Sequence, residues 1–253
     1  MAIWQDPRST AERSAGVNTA TVGVPSVTRD AGLRSYMLSV YNYMASGVLL
    51  TGIIALGVAN SSLINLIVNP ATGQSTPLFW VALFAPLGIV FALSFGINRI
   101  SARTAQALFW VYAALVGVQF SSLFLVYTGV SIAQTFFATA AAFLGLSLYG
   151  YTTKRDLSGF GTFLVMGVVG LLVAMVINIF LRSPALNLAI SAIGVLLFAG
   201  LTAYDTQKIK SMYFVVAGHG EAMAKSAVMG ALQLYLDFIN MFLFLLRFMG
   251  DRR

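Results

Sequence analysis

Residues 227–248 read AVMGALQLYLDFINMFLFLLRF, a stretch long and apolar enough to cross a lipid bilayer as one helix. A membrane-spanning helix needs roughly 20 mainly apolar residues. Within the stretch, Gly230, Gln233, Asp237 and Asn240 are spaced three and four residues apart, so they share one helix face. The opposite face carries Leu, Phe and Met. The pattern predicts a membrane helix whose polar face lies inside a bundle.

The rest of the chain supports the same protein class. It has 253 residues, of which 58% are hydrophobic and 9% charged, whereas a soluble domain is about 25% charged. Most connections between its apolar segments are short, and two are longer, at 59–77 and 209–226. We therefore predict an all-α membrane protein with seven spanning helices. The predicted spans are 37–58, 78–97, 104–127, 132–151, 159–181, 186–208 and 227–248.

The first 35 residues differ from the remainder. They are polar, with scattered Arg, Ser, Thr and Asp, and contain no continuous apolar run of the kind found in a secretory signal peptide. We predict that residues 1–35 form a disordered cytoplasmic tail. Residues 36–250 are predicted to form one seven-helix transmembrane domain.

Charge asymmetry predicts the orientation in the membrane. Basic residues accumulate on the cytoplasmic side of membrane proteins, and with a cytoplasmic N-terminus the outer loops of this chain carry only Arg182. The C-terminal Arg247, Arg252 and Arg253 fall on the other side, so either they are a tolerated exception or the last segment is re-entrant; we favour seven crossings. The basic residues on the predicted inner side are Arg8, Arg13, Arg29, Arg34, Arg99, Arg103, Lys154, Arg155, Lys208, Lys210 and Lys225.

Composition also excludes several functions. The chain has no Cys, so thiol catalysis and Cys-based zinc sites are excluded, and its single His219 cannot form a His-rich metal site. The net charge of +7 follows from the short inner loops, so it does not indicate nucleic-acid binding. No phosphate loop or nucleophile–base pair is present, and Asp237 lacks the Gly-x-Gly-Asp context of intramembrane aspartyl proteases. We expect no enzymatic activity and no cofactor.

Asp205 and Asp237 are the only acidic residues inside the predicted spans. A charged side chain at the bilayer centre costs roughly 2.5–3.5 kcal/mol on insertion scales, and it usually persists because it pairs, binds an ion or moves a proton. At ~1.5 Å per residue along consecutive helices, the two reach similar depth. If they meet, they share a proton and form a pH-sensitive latch, protonated when closed. Alternatively, each makes an unrelated structural contact.

Other polar residues accompany the aspartates. Thr202 shares a helix face with Asp205, as Gln233 and Asn240 do with Asp237. Arg99 ends the second span, where it either snorkels to the membrane surface or forms a salt bridge with Asp205 or Asp237. Both alternatives are open from the sequence.

The chain contains the four stretches NRISARTAQALFW, SLYGYTTKRDLSGFGTF, LFAGLTAYDTQKIK and LQLYLDFINMFLFLLRF. Together they resemble the Bax inhibitor-1 family (transmembrane Bax inhibitor motif, YccA-like), in its bacterial branch. The resemblance covers residues 35–250 and implies seven helices, with the last one central and surrounded by the other six. It implies a bacterial inner (plasma) membrane protein. The sequence departs from the family in its long polar tail and apolar 209–226 connection.

The resemblance further implies a pH-sensitive calcium leak across the membrane. Asp205 and Asp237 would then act as proton sensor and gate, with Arg99 as their alternate partner. Calcium would be the transported ion, held weakly and transiently by the two aspartates, with Thr202, Gln233 and Asn240 as further ion contacts. The alternative is a non-conducting membrane regulator of a protease or of a stress or cell-death pathway. The expected partners are therefore the bilayer, calcium ions and, in the second case, a membrane protease.

Overall fold

The computed structural model describes residues 26–69, 72 and 74–253. In this part of the chain, seven long helices follow one another, and no β-strand is formed. All seven are long and apolar enough to cross a membrane, which confirms the predicted fold class. The helices are α1 (Ser26–Ala59), α2 (Pro77–Gly96), α3 (Ala102–Phe120), α4 (Gly129–Thr152), α5 (Ser158–Leu181), α6 (Pro184–Val216) and α7 (Gly220–Met249).

Local sequence signals set several helix ends. The hydroxyls of Ser101, Thr128 and Ser183 accept hydrogen bonds from the first-turn amides of α3, α4 and α6, as N-cap residues do. Pro77 and Pro184 occupy the first position of α2 and α6, where the missing N–H costs nothing. The 59–77 loop holds a short 3-10 helix, Ser62–Leu66, and a four-residue helical segment, Leu123–Val126, follows α3.

The predicted loop at 209–226 is wrong. α6 continues to Val216 and α7 already begins at Gly220, so only residues 217–219 connect them. The apolar segment that suggested a roomy loop extends α6 instead, and Tyr213 is buried there with its ring centroid 5.6 Å from that of Tyr36. The chain reverses at Gly218, whose φ of 86° suits glycine.

The predicted tail also ends earlier than expected, because residues 26–35 already belong to α1. The next residue of α1 contacts the start of the last helix: the hydroxyls of Tyr36 and Ser226 are hydrogen-bonded at 2.8 Å. The prediction that residues 1–25 are disordered and cytoplasmic lies outside the described residues.

α7 runs through the whole bundle, which excludes the re-entrant alternative. Its N-terminal end contacts the start of α1, whereas the chain after its C-terminal end meets the connection between α3 and α4. There the amide of Thr128 donates to the carbonyl of Asp251 at 3.2 Å, and the amide of Asp251 donates to the Ser131 hydroxyl at 2.9 Å. The C-terminus therefore lies at the end of the bundle opposite the start of α1.

The last helix is the most buried of the seven. It packs against α1, α3, α4 and α6, while α2 packs on α3 and α5 packs on α6. Tyr235 is fully buried at its middle; its ring meets Phe109 and Tyr112 edge-on, and its hydroxyl lies 2.6 Å from the Thr51 hydroxyl. The prediction that all six other helices surround α7 stays a prediction.

Candidate functional site: the aspartate pair

Asp205 of α6 and Asp237 of α7 lie next to each other inside the bundle. Each is 4% exposed, and their carboxyl groups are close enough to interact directly. α6 and α7 are joined by only three residues, so they pack as an antiparallel hairpin along most of their length. The structure therefore brings together the two residues that the sequence predicted would meet.

The pair has few other partners. The side chain of Gln233, one turn before Asp237, lies beside the carboxyl group of Asp205. One oxygen of each residue, Oδ1 of Asp205 and Oδ2 of Asp237, is buried without a hydrogen-bond partner among the described residues. A buried carboxyl oxygen left unpaired is costly. The two oxygens are therefore available to a proton, a water molecule or a cation.

Carboxyl groups in such close contact cannot both be ionised cheaply. Two unit charges about 4 Å apart repel by about 4 kcal/mol at an effective dielectric constant of about 20. Asp205 and Asp237 are therefore best understood as a unit that shares at least one proton in this arrangement. The charge of Lys208, one turn after Asp205, acts on both carboxyl groups, although its own side chain is exposed.

A family profile described as "Inhibitor of apoptosis-promoting Bax1" matches residues 33–253. The chain belongs to this Bax inhibitor-1 family. An uncharacterized protein of Rickettsia prowazekii is 49% identical over 235 residues, covering 93% of this chain and 97% of the relative. The inner membrane protein YbhL of Escherichia coli is 47% identical over 225 residues, 88% of this chain and 94% of YbhL.

A relative of lower identity is also named a membrane protein. An uncharacterized membrane protein of Streptococcus pyogenes is 36% identical over 224 residues, which cover 87% of this chain and 94% of the relative. The family profile includes α2 to α7 completely and most of α1. The chain is therefore an integral membrane protein of the Bax inhibitor-1 family.

Arg99 forms no salt bridge with Asp205 or Asp237 in the structure. It lies exposed in the turn that follows α2. Within the described residues, the one ion pair joins Lys225 to Glu221 at 3.4 Å, so neither aspartate is bridged to an arginine. Snorkelling of Arg99 and its role as an alternate partner of the aspartates both stay predictions.

The other predicted ion contacts are distributed unevenly. Gln233 contacts the pair directly, as described above. The hydroxyl of Thr202 is fully buried and donates to the carbonyl of Phe198 at 2.8 Å. The amide of Asn240 donates to the carbonyl of Leu236 at 2.8 Å. Thr202 and Asn240 therefore use their donors within their own helices, and their roles as ion contacts stay predictions.

A chain of hydroxyl groups beside the pair was not predicted from the sequence. The hydroxyls of Tyr41 and Ser147 lie 2.6 Å apart, and those of Ser147 and Thr206 lie 3.0 Å apart. They connect α1, α4 and α6 next to Asp205. The residues are far apart in sequence and lie in otherwise apolar spans, so only the presence of polar side chains in three spans could have suggested the contact.

The pair alone offers few oxygen ligands to a cation. Calcium sites of high affinity use six to eight oxygens. The described residues contain no group of three or more His, Cys, Asp or Glu side chains that could hold a metal ion. Two carboxyl groups with the Gln233 amide oxygen and water would bind a divalent cation weakly, as passage requires.

Proposed function

We propose that this protein is a pH-sensitive calcium leak channel of the bacterial inner membrane, with its N-terminus in the cytoplasm. The aspartate pair is the gate. The observation that carries the proposal is the direct contact between Asp205 and Asp237, each with one buried oxygen left unpaired. The inner membrane assignment draws on YbhL, which is named an inner membrane protein.

The proton that the two carboxyl groups share holds α6 against α7. When the pH rises and this proton leaves, two negative charges face each other in a site with little water, and their repulsion competes with the packing of the hairpin. Separation of the carboxylates, or entry of a cation between them, relieves the repulsion. Calcium would then pass the pair transiently, with Gln233 as the nearest additional oxygen donor.

A small, mostly apolar cavity lies toward the C-terminal end of α7 from the pair. Asn240 lies one turn beyond Asp237 and lines this cavity of about 100 Å³ between α5 and α7, together with Met175 and Arg247. An amide and water could replace part of the hydration shell of an ion there. A leak that leaves the gate on this side would pass through this cavity, although neither aspartate lines it.

A flux assay tests the proposal. The full chain is reconstituted into liposomes that contain a calcium indicator, and calcium entry is measured over a series of external pH values. We expect the flux to rise with pH in the wild type. Asp205→Asn and Asp237→Asn should each give a low flux that no longer depends on pH, because an amide cannot lose the latch proton.

Two surface acids provide matched controls. Asp156→Asn and Asp251→Asn remove the same charge at exposed positions outside the helices, so they should keep the wild-type pH dependence. If the flux of both Asp205→Asn and Asp237→Asn keeps the wild-type pH dependence, the aspartate pair is not the gate. Absence of flux at every pH would sink the channel and favour the alternative of a non-conducting regulator of a membrane protease or stress pathway.

A further inference from the structure

A basic pocket lies where the connection between α4 and α5 meets the end of α6. The cavity has a volume of about 360 Å³. Four basic side chains line it, two from the connection and two from α6. These are Lys154 and Arg155, and Lys208 and Lys210; the hydroxyls of Ser158 and Ser211 complete the polar wall.

Among the residues that the structure describes, no carboxylate forms an ion pair with the four cations of the basic pocket. The ion pair of the described chain lies elsewhere, between Lys225 and Glu221. Asp156 also lines the pocket, but its carboxylate accepts a hydrogen bond from the amide of Ser158 at 2.9 Å. The hydrogen bonds from Ser158 hold the pKa of Asp156 below its usual range. The pocket therefore keeps an excess of positive charge.

Hydrogen bonds fix the walls of the pocket. The amide nitrogen of Gln207 donates to the carbonyl of Arg155 at 2.7 Å, and the side-chain oxygen of Gln207 accepts from the amide of Leu157 at 2.8 Å. Lys210 donates to the carbonyl of Tyr151 at 2.7 Å and lies 5.0 Å from the centre of that ring. The connection that carries Lys154 and Arg155 is thus attached to α6 by two side-chain bonds, and the end of α4 is attached by a third.

We propose that the basic pocket binds the phosphate group of an anionic phospholipid. Ammonium and guanidinium donors match the acceptor-only oxygens of a phosphate, and Arg155 can offer two parallel N–H groups. Basic pockets between membrane helices are a recurrent form of headgroup recognition. A lipid rather than a free anion is favoured because Phe214, which is 58% exposed, lines the same cavity and offers an apolar surface to an acyl chain.

This site does not depend on the proposed calcium leak. None of its side chains belongs to the aspartate pair, although the charge of Lys208 also acts on the two carboxyl groups. A chain that conducts nothing could still bind the lipid. Lipid binding and calcium flux can therefore fail independently.

Native mass spectrometry of the full chain tests the site. Delipidated protein is titrated with phosphatidylglycerol, with phosphatidylcholine and, separately, with inorganic phosphate. We expect selective retention of phosphatidylglycerol by the wild type. The double variant Lys154→Gln/Arg155→Gln should bind it about tenfold more weakly or worse, since each basic residue near a membrane surface contributes about 1 kcal/mol. Neither side chain makes a hydrogen bond in the structure, so the variant should fold.

The charge-matched control is Arg34→Gln/Arg103→Gln, which removes two cations from the same end of the bundle outside the pocket. It should bind phosphatidylglycerol as the wild type does, and thermal unfolding should show that both variants are folded. Equal weakening in the two double variants would overturn the proposal, because the charge would then act without a defined site. Displacement of phosphatidylglycerol by millimolar inorganic phosphate would overturn the lipid assignment in favour of a free anion.

Discussion

Gly150 provides the closest approach between two helix backbones near the site. A Cβ atom at this position would lie 2.2 Å from the carbonyl oxygen of Ala203 on α6, and backbone cannot move aside cheaply. We expect Gly150→Ala to separate α4 from α6 and to lower the free energy of unfolding by about 1–3 kcal/mol. Denaturant unfolding in detergent measures the change.

Gly145 is the matched control for Gly150, because it lies in the same helix and an added Cβ atom would meet nothing within 4 Å. Gly145→Ala should leave stability unchanged or raise it slightly, because Ala has a higher helix propensity than Gly. Equal losses in the two variants would show that the contact between α4 and α6 does not limit stability.

The buried hydroxyl of Tyr235 makes a second prediction at the residue scale. It is hydrogen-bonded to Thr51 of α1 at 2.6 Å. Tyr235→Phe removes this bond while keeping the ring packed, so stability should fall by about 0.5–1.5 kcal/mol. The control is Tyr43→Phe, because the hydroxyl of Tyr43 has no hydrogen bond within the described residues. A larger loss at Tyr43 would contradict this assignment.

At the scale of elements, the α6–α7 hairpin depends on its short turn. Gly218 has a φ of 86°, a region that costs other residues roughly 1–2 kcal/mol. An added Cβ atom there would meet nothing within 4 Å, so the cost of Gly218→Ala is conformational. We expect this variant to lower the free energy of unfolding by about 1 kcal/mol.

Gly220 allows the turn to be tested against its surroundings. It begins α7, has no positive φ and is equally open to an added Cβ atom. Gly220→Ala should not destabilise the protein. If both alanine variants unfold like the wild type, the turn geometry does not constrain the hairpin.

At the scale of the whole molecule, the charge distribution predicts which end faces the cytoplasm. The chain has no Cys, so a single introduced cysteine reports its own side. Ser75 and Thr152 lie exposed at opposite ends of the bundle. The variants Ser75→Cys and Thr152→Cys change no charge. We expect a membrane-impermeant maleimide to label position 75 in right-side-out vesicles and position 152 only in inverted ones. The reverse pattern would place the N-terminus outside.

The number of helices could be predicted from the sequence because hydropathy is a local property. Each span is recognisable from its own run of about 20 apolar residues, independently of the segments that it packs against. The same reasoning placed the polar face of the last span and the two costly aspartates. It failed at 209–226, because a segment with basic residues, a glycine and a histidine looks like a loop until Tyr213 is seen packed against Tyr36.

The sequence by itself determined that this is a membrane protein of seven helices with two acidic residues at similar depth. Only the tertiary structure decided which side chains meet. The contact of Asp205 with Asp237 and Gln233, the exposure of Arg99 and the basic pocket around Lys208 all depend on how the helices are rotated and how closely they approach. Rotation and approach are set by packing between distant segments, which no local pattern contains.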